Sequence, residues 1–204
     1  MKDLWLKKNS QAANTYMDEV SRSNQFTSHH NGYIKVPLKI LRCIGLTAYE
    51  KLILMDLIAY MSDKTLCYPT IEMIARDVGC SSKSIERHIK ELADKKMILV
   101  SQERKNNTYY LPNYLHYHPY LLMSEKTHEF IGGVRKQVNE RELTLWVQGI
   151  IKGDEFKAFT AQLQRLHEHR FPMDKFAEKE ILDSYAQFLT SELAKRFPPD
   201  VNRN

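Results

Sequence analysis

Residues 69–111 read PTIEMIARDVGCSSKSIERHIKELADKKMILVSQERKNNTYYL, and this stretch decides the fold. Its first part places apolar residues at helical spacing: Ile71, Ile74, Ala75 and Val78. Gly79 follows where the chain must take up the left-handed conformation that glycine reaches with least strain. Ser81 or Ser82 can then cap a second helix by accepting hydrogen bonds from its free N–H groups. The stretch therefore predicts two short helices joined by a sharp turn.

The second helix is predicted to bury one face and to expose the other. Ile85, Ile89 and Leu92 fall at i, i+4 and i+7 and should point inward. The opposite face carries Glu86 together with cationic and hydroxyl side chains. The cationic and hydroxyl side chains are the candidate DNA contacts: Ser82, Lys83, Ser84, Arg87 and Lys90.

A β-hairpin is predicted after the second helix. Residues 97–100 are apolar and residues 108–111 are rich in strand formers. The turn between them supplies three further candidate contacts: Arg104, Lys105 and Asn106. Two helices joined by a turn and followed by a basic hairpin form a winged helix-turn-helix, in which the second helix enters the major groove and the wing can contact phosphates.

Charge supports this interpretation only weakly. Residues 81–107 contain seven cations and four anions, but exposed helix faces often carry such charges. The whole chain has a net charge of +5 and a pI of about 9.0, which suits a nucleic-acid partner without requiring one.

Residues 46–98 resemble the winged-helix family found in phage and plasmid replication proteins of low-GC Gram-positive bacteria and in related regulators. They are also similar to the N-terminal domain of DnaD-type primosomal proteins. The resemblance depends on these positions: Leu46, Thr47, Tyr68, Pro69, Ile74, Ala75, Gly79, Ile85, Lys90, Glu91 and Leu92. Cys80 departs from the pattern, because such proteins usually carry Val or Ile there.

The resemblance implies a sequence-specific protein that binds double-stranded DNA in plasmid or phage replication initiation. A transcriptional regulator, a repressor that acts as a dimer, is the alternative. A protein-interaction module without DNA binding is a third, less favoured class. The expected partner is duplex DNA; a second copy of the chain and a replication protein that contacts the C-terminal helices are the further candidate partners.

Catalysis has little support in the sequence. The two His-x-His pairs, at residues 116–118 and 167–169, lack the nearby Cys or carboxylates that complete a metal site. There is no Gly-rich phosphate loop followed by Lys. We therefore expect no enzymatic activity, no catalytic residue, no metal and no cofactor.

The composition predicts a cytoplasmic protein with reduced thiols. Cys43, Cys67 and Cys80 are odd in number and are not spaced like a zinc cluster. No signal peptide opens the sequence and no apolar run is long enough to span a membrane, so no membrane association is expected.

The predicted fold class is mainly α with a small β-wing, namely a winged helix-turn-helix domain plus a C-terminal helical domain. Four segments are expected: an N-terminal arm at residues 1–32, a winged-helix DNA-binding domain at 33–112, a linker at 113–133 and a helical C-terminal domain at 134–204. An edge strand is expected at residues 33–37.

The first helix of the DNA-binding domain should start at a capping box formed by Thr47 and Glu50. Its apolar face is assigned to Leu52, Leu54, Met55, Leu57 and Ile58.

An extended, aromatic connector is predicted for residues 112–120, packed on a domain surface, with base stacking by its tyrosines and histidines as the alternative. Three amphipathic helices should follow residue 133. The first contains Leu143, Leu145, Trp146 and Ile150. The second begins near Asp154 with Phe156, Phe159, Leu163 and Leu166. The third begins near Asp174 with Phe176, Ile181, Tyr185, Phe188, Leu189 and Leu193.

Overall fold

The fold is described from a computed structural model, which covers residues 37–61, 64–102, 107–112, 115–169 and 175–198. The predicted arm, most of the predicted edge strand and the tip of the predicted wing lie outside the described residues. The chain divides into two units. The first comprises Met1–Leu41 and Leu46–His118, and the second comprises Arg42–Gly45 and Pro119–Asn204.

The first unit is a winged helix-turn-helix, as predicted. Its helices are α1 (Leu38–Leu41), α2 (Ala48–Met61), α3 (Ile71–Val78) and α4 (Ser82–Asp94). Its strands are β1 (Leu66–Cys67), β2 (Leu99–Ser101) and β3 (Thr108–Tyr110), and a 3-10 turn follows at Leu115–Tyr117. The strands form an antiparallel sheet in the order β1-β3-β2, in which Tyr110 faces both Leu66 and Leu99.

The start of α2 confirms the predicted capping box. The Thr47 N–H donates to Glu50 Oε2 at 2.6 Å, and the Glu50 N–H donates to Thr47 Oγ1 at 3.3 Å. Glu50 is fully buried, and its other carboxylate oxygen pairs with Lys95, the C-cap residue of α4. One side chain therefore caps α2 and joins it to the end of the second helix of the motif.

The buried face of α2 differs from the prediction at several positions: Met55 is only half-buried, and Ile53 and Met61, which were not predicted to lie on this face, are fully buried. Leu52 was assigned to the apolar face, but it is 43% exposed. The residues that form the floor under α3 and α4 are Ile53, Leu54, Leu57, Ile58 and Met61. They recur at i, i+1, i+4, i+5 and i+8, and a helix cannot turn Leu52 toward the same side.

The sheet also departs from the prediction. Strand β1 was not predicted, because two residues are too few to show a strand period. Strand β2 begins at Leu99 rather than at Met97. Met97 and Ile98 are fully buried in the bend after α4, where Lys96 adopts a φ of 59°. Packing at this bend, and not strand pairing, therefore explains why these two positions are apolar.

The second unit is helical and consists of α5 (Pro119–Val134), α6 (Glu140–Lys152), α7 (Asp154–His169) and α8 (Lys175–Arg196). Its core is formed by side chains from α5, α7 and α8: Leu122, Met123, Phe156, Leu163, Tyr185 and Leu189. Inside this core the hydroxyl groups of Thr127 and Tyr185 are 2.8 Å apart, so both are hydrogen-bonded.

Helix α5 corrects the expected extended connector. The sequence interpretation placed residues 113–133 in a linker, but residues 119–133 are helical. Pro119 takes the first position of α5, where a missing N–H costs nothing. Leu122 and Met123 follow it and belong to the buried core of the helical unit.

The three predicted C-terminal helices are present as α6, α7 and α8. The predicted start of the last one, at Asp174, lies outside the described residues. Two residues assigned to the apolar faces are exposed instead, Leu145 by 60% and Phe176 by 72%. Within the described part of the chain, no helix has the length and apolar character that a membrane span requires.

Candidate nucleic-acid interface

The turn between α3 and α4 has the predicted geometry. Gly79 adopts φ 76° and ψ 37°, and its N–H donates to the carbonyl of Ala75 at 2.9 Å. A Cβ at Gly79 would meet no heavy atom within 4 Å, so crowding does not explain the glycine. The left-handed backbone explains it.

Helix α4 is capped by Ser81, one of the two serines that the sequence offered as a cap. The Ser81 hydroxyl accepts a hydrogen bond from the Ser84 N–H at 3.3 Å. The buried side of α4 is formed by Ile85 and Leu92, both fully buried, and by Ile89, which is 6% exposed. This inward face packs against α2 and α3 and fixes which side of α4 meets solvent.

The outward side of α4 carries the predicted contact residues. Lys83, Arg87 and Lys90 are exposed, whereas Ser82 and Ser84 are partly exposed. The three cations stand at i, i+4 and i+7, so they share one face and span about 10 Å along the axis. The major groove of DNA is about 12 Å wide. Contact of these five residues with DNA stays a prediction.

Arg87 is exposed but not isolated. Its side chain is 66% exposed, and its Nε lies 3.9 Å from Glu91 Oε1. Its Nη2 lies 3.2 Å from Nε2 of His88, whose Nδ1 lies 2.9 Å from Glu91 Oε2. His88 is not among the residues predicted from the sequence, although its position three residues after Ile85 is on the inward side of the helix.

The wing is described only in part. Strands β2 and β3 form the predicted hairpin, and Asn107 Nδ2 donates to Tyr109 Oη at 3.2 Å. Arg104, Lys105 and Asn106 lie outside the described residues. Their contact with DNA therefore stays a prediction.

One histidine of each His-x-His pair, His118 and His167, takes a buried packing position. His118 is 1% exposed, and its Nε2 lies 3.0 Å from the carbonyl oxygen of Lys95. The side chain of His167 is 1% exposed, and burial lowers the pKa of its imidazole to about 4. No group of three or more His, Cys, Asp or Glu side chains that could hold a metal ion occurs in the described ranges.

Comparison with known protein families matches residues 45–98 to a helix-turn-helix domain. The match begins at Gly45, includes α2, α3 and α4, and ends at Ile98, just before β2. No curated protein and no solved structure matches the chain. The family match and the geometry agree that this segment is a helix-turn-helix domain, a type associated with DNA binding.

Proposed function

We propose that this protein binds a specific double-stranded DNA sequence by inserting α4 into the major groove. The observation that carries the proposal is the arrangement of Lys83, Arg87 and Lys90 on the exposed side of α4. The opposite side of the same helix is anchored by Ile85 and Leu92, which are fully buried. A rigidly held, cationic helix face is what insertion into the groove requires.

The proposed roles follow from the chemistry of each side chain. Arg87 offers a planar fork of donors that matches the O6 and N7 atoms of guanine. Lys83 and Lys90 carry flexible point charges that suit phosphates, whereas Ser82 and Ser84 can donate supporting hydrogen bonds. In the wing, we propose that Arg104, Lys105 and Asn106 contact the adjacent backbone. None of these roles requires a cofactor or catalytic chemistry.

We further propose that the bound sequence lies in the replication origin of a plasmid or phage, as the resemblance to replication proteins implies. In this proposal the protein acts in the cytoplasm, and its helical unit contacts a second copy or another replication protein. Footprinting on the genetic element that encodes the chain tests this. Protection of iterated sites within an origin supports initiation, whereas protection of a promoter alone supports the dimeric repressor instead.

Arg87→Ala is expected to weaken binding to the preferred duplex by about 1–3 kcal/mol, or about 5- to 150-fold, because a two-point contact with a base is lost. Discrimination at that base pair should fall as well. The duplex is first selected by the wild-type protein from a randomised library. Dissociation constants for the selected and a scrambled duplex are then measured at one fixed salt concentration.

Lys179→Ala is the control, because it removes an exposed positive charge from α8, outside the proposed contact set. It should leave the preference for the selected duplex unchanged. An identical binding curve for Arg87→Ala would remove this residue from the contact set. A wild-type protein that binds no duplex at low salt would contradict DNA binding altogether.

A further inference from the structure

His88 is the buried polar residue of α4. Its residue surface is 5% exposed, and its ring stacks on Tyr49 of α2, with 5.5 Å between the ring centroids and 24° between the planes. An apolar residue would fill such a position without the cost of burying two nitrogen atoms. The hydrogen-bond partners of those nitrogens therefore indicate what the histidine does.

Both partners lie at the exposed edge of α4. Nε2 of His88 is 3.2 Å from Nη2 of Arg87, and Nδ1 is 2.9 Å from Oε2 of Glu91. A guanidinium group has donors only, so Nε2 must accept the hydrogen bond from Arg87. The ring proton then sits on Nδ1 and is donated to the carboxylate of Glu91. His88 thus links Glu91 to Arg87 in one oriented chain of hydrogen bonds.

The geometry leaves Arg87 able to contact a base. Arginine has five N–H donors, and His88 engages one of them. The Nε atom of Arg87 is 3.9 Å from Glu91, which is too long for a hydrogen bond. The remaining donors include the neighbouring pair that a two-point contact with guanine needs. The hydrogen bond to the fixed ring nitrogen of His88 restricts the orientation of the Arg87 guanidinium plane before DNA binds.

We propose that His88 is a positioning residue, which holds the guanidinium of Arg87 in the orientation that reads a base. The inference rests on the proposed function, because it assigns the specificity of the same helix face to a residue that does not touch DNA. Tyr49 belongs to the same arrangement, since its ring covers one face of the imidazole and keeps the ring in place. A long arginine side chain without this support would sample many rotamers.

His88→Phe tests the role, because phenylalanine keeps an aromatic ring against Tyr49 and removes both nitrogens. The probe is the duplex selected by the wild-type protein from a randomised library. We expect this variant to bind about 3- to 10-fold more weakly than wild type, but less than about 2-fold more weakly in an Arg87→Ala background. In a Lys83→Ala background the full loss should remain, since Lys83 is not part of the hydrogen-bond chain.

His88→Gln supplies the rescue, because its amide oxygen can accept from Arg87. It should recover part of the affinity that His88→Phe loses. Circular dichroism of each variant checks that α4 is still folded. An equal loss from His88→Phe with and without Arg87 would overturn the proposal, because His88 would then act on the fold alone.

A measurement without DNA separates this inference from the proposed function. In the neutral ring of the free protein, ¹⁵N nuclear magnetic resonance should place the proton of His88 on Nδ1. A proton on Nε2 would overturn the proposal whatever the DNA result is. Failure of the wild-type protein to prefer the selected duplex over a scrambled one would instead contradict the proposed function.

Discussion

Lys95→Met is expected to lower the free energy of unfolding of the winged-helix unit by about 3–5 kcal/mol, because it leaves a buried carboxylate without its counter-charge. The carboxylate belongs to Glu50, which is fully buried, and the side chain of Lys95 is 23% exposed. Folded domains have about 5–15 kcal/mol of stability in total, so this loss would be severe. Hydrogen exchange of the α4 amides, followed over a urea series, measures it for this unit.

The double variant Glu50→Gln, Lys95→Met separates charge from packing. Glutamine can still accept from the Thr47 N–H and preserve the capping box, while the uncompensated charge is gone. It should therefore recover most of the stability that Lys95→Met loses. Lys90→Met is the matched control on the same helix, because Lys90 is exposed; its effect should stay within about 0.5 kcal/mol. A double variant as unstable as Lys95→Met would show that the lysine stem, not its charge, matters.

The ion pair between Glu50 and Lys95 also explains which parts of the fold the sequence could predict. The capping box at Thr47, the left-handed Gly79 and a serine cap at residue 81 or 82 were all predicted and are all present, with Ser81 as the cap. Each depends on residues within a few positions of one another, so its cause is visible in the local sequence. The partner of Glu50, in contrast, is 45 residues away, and no local pattern identifies it.

The elements that the sequence prediction missed or misplaced also depend on tertiary contacts. Strand β1 is two residues long and exists because Leu66 and Cys67 pair with β3, more than forty positions later. Residues 112–120 were predicted to form an extended connector, but Pro119 begins α5, and burial of the apolar residues that follow it stabilises this helix. Tertiary contacts decide both cases, and they are absent from a window of sequence.

The candidate interface likewise has some features that the local sequence predicts and others that only the folded unit shows. The helical period correctly placed Lys83, Arg87 and Lys90 on the exposed side of α4. The period alone could not show that His88 lies under the ring of Tyr49, which belongs to another helix. The orientation of Arg87 is therefore a property of the folded unit, whereas the presence of a cationic face is a property of the sequence.

Acid is expected to destabilise the helical unit through His167. Burial lowers the pKa of this imidazole from the ordinary 6.5 to about 4, so the unfolded chain takes up the proton more readily than the folded chain between these values. The contribution to stability is complete above pH 6.5 and is lost as the pH falls toward about 4. The loss should reach about 2 kcal/mol at pH 5 and about 3 kcal/mol near pH 4.

The measurement must follow the helical unit alone. The winged-helix unit contains a carboxyl group whose pKa shift has the opposite effect on stability as the pH falls. Burial, with a contribution from the nearby Asp77, raises the pKa of Asp56 to about 6. Its contribution to stability is therefore lost as the pH rises toward about 6 and would mask part of the acid effect. The chain has two tryptophans, Trp5 and Trp146, and Trp146 lies on α6. In a Trp5→Phe background, fluorescence reports unfolding around α6.

His167→Gln should remove most of the decline in unfolding free energy between pH 7.5 and pH 5, because glutamine takes up no proton over this range. Glutamine also places an amide group near Glu178, whose Oε2 lies 3.4 Å from Nε2 of His167. His128→Gln is the matched control, since His128 is an exposed histidine on α5 of the same unit, and its acid decline should equal that of the Trp5→Phe parent. If the unfolding free energy of His167→Gln declines with acid as steeply as that of the parent, acid acts on this unit through other groups.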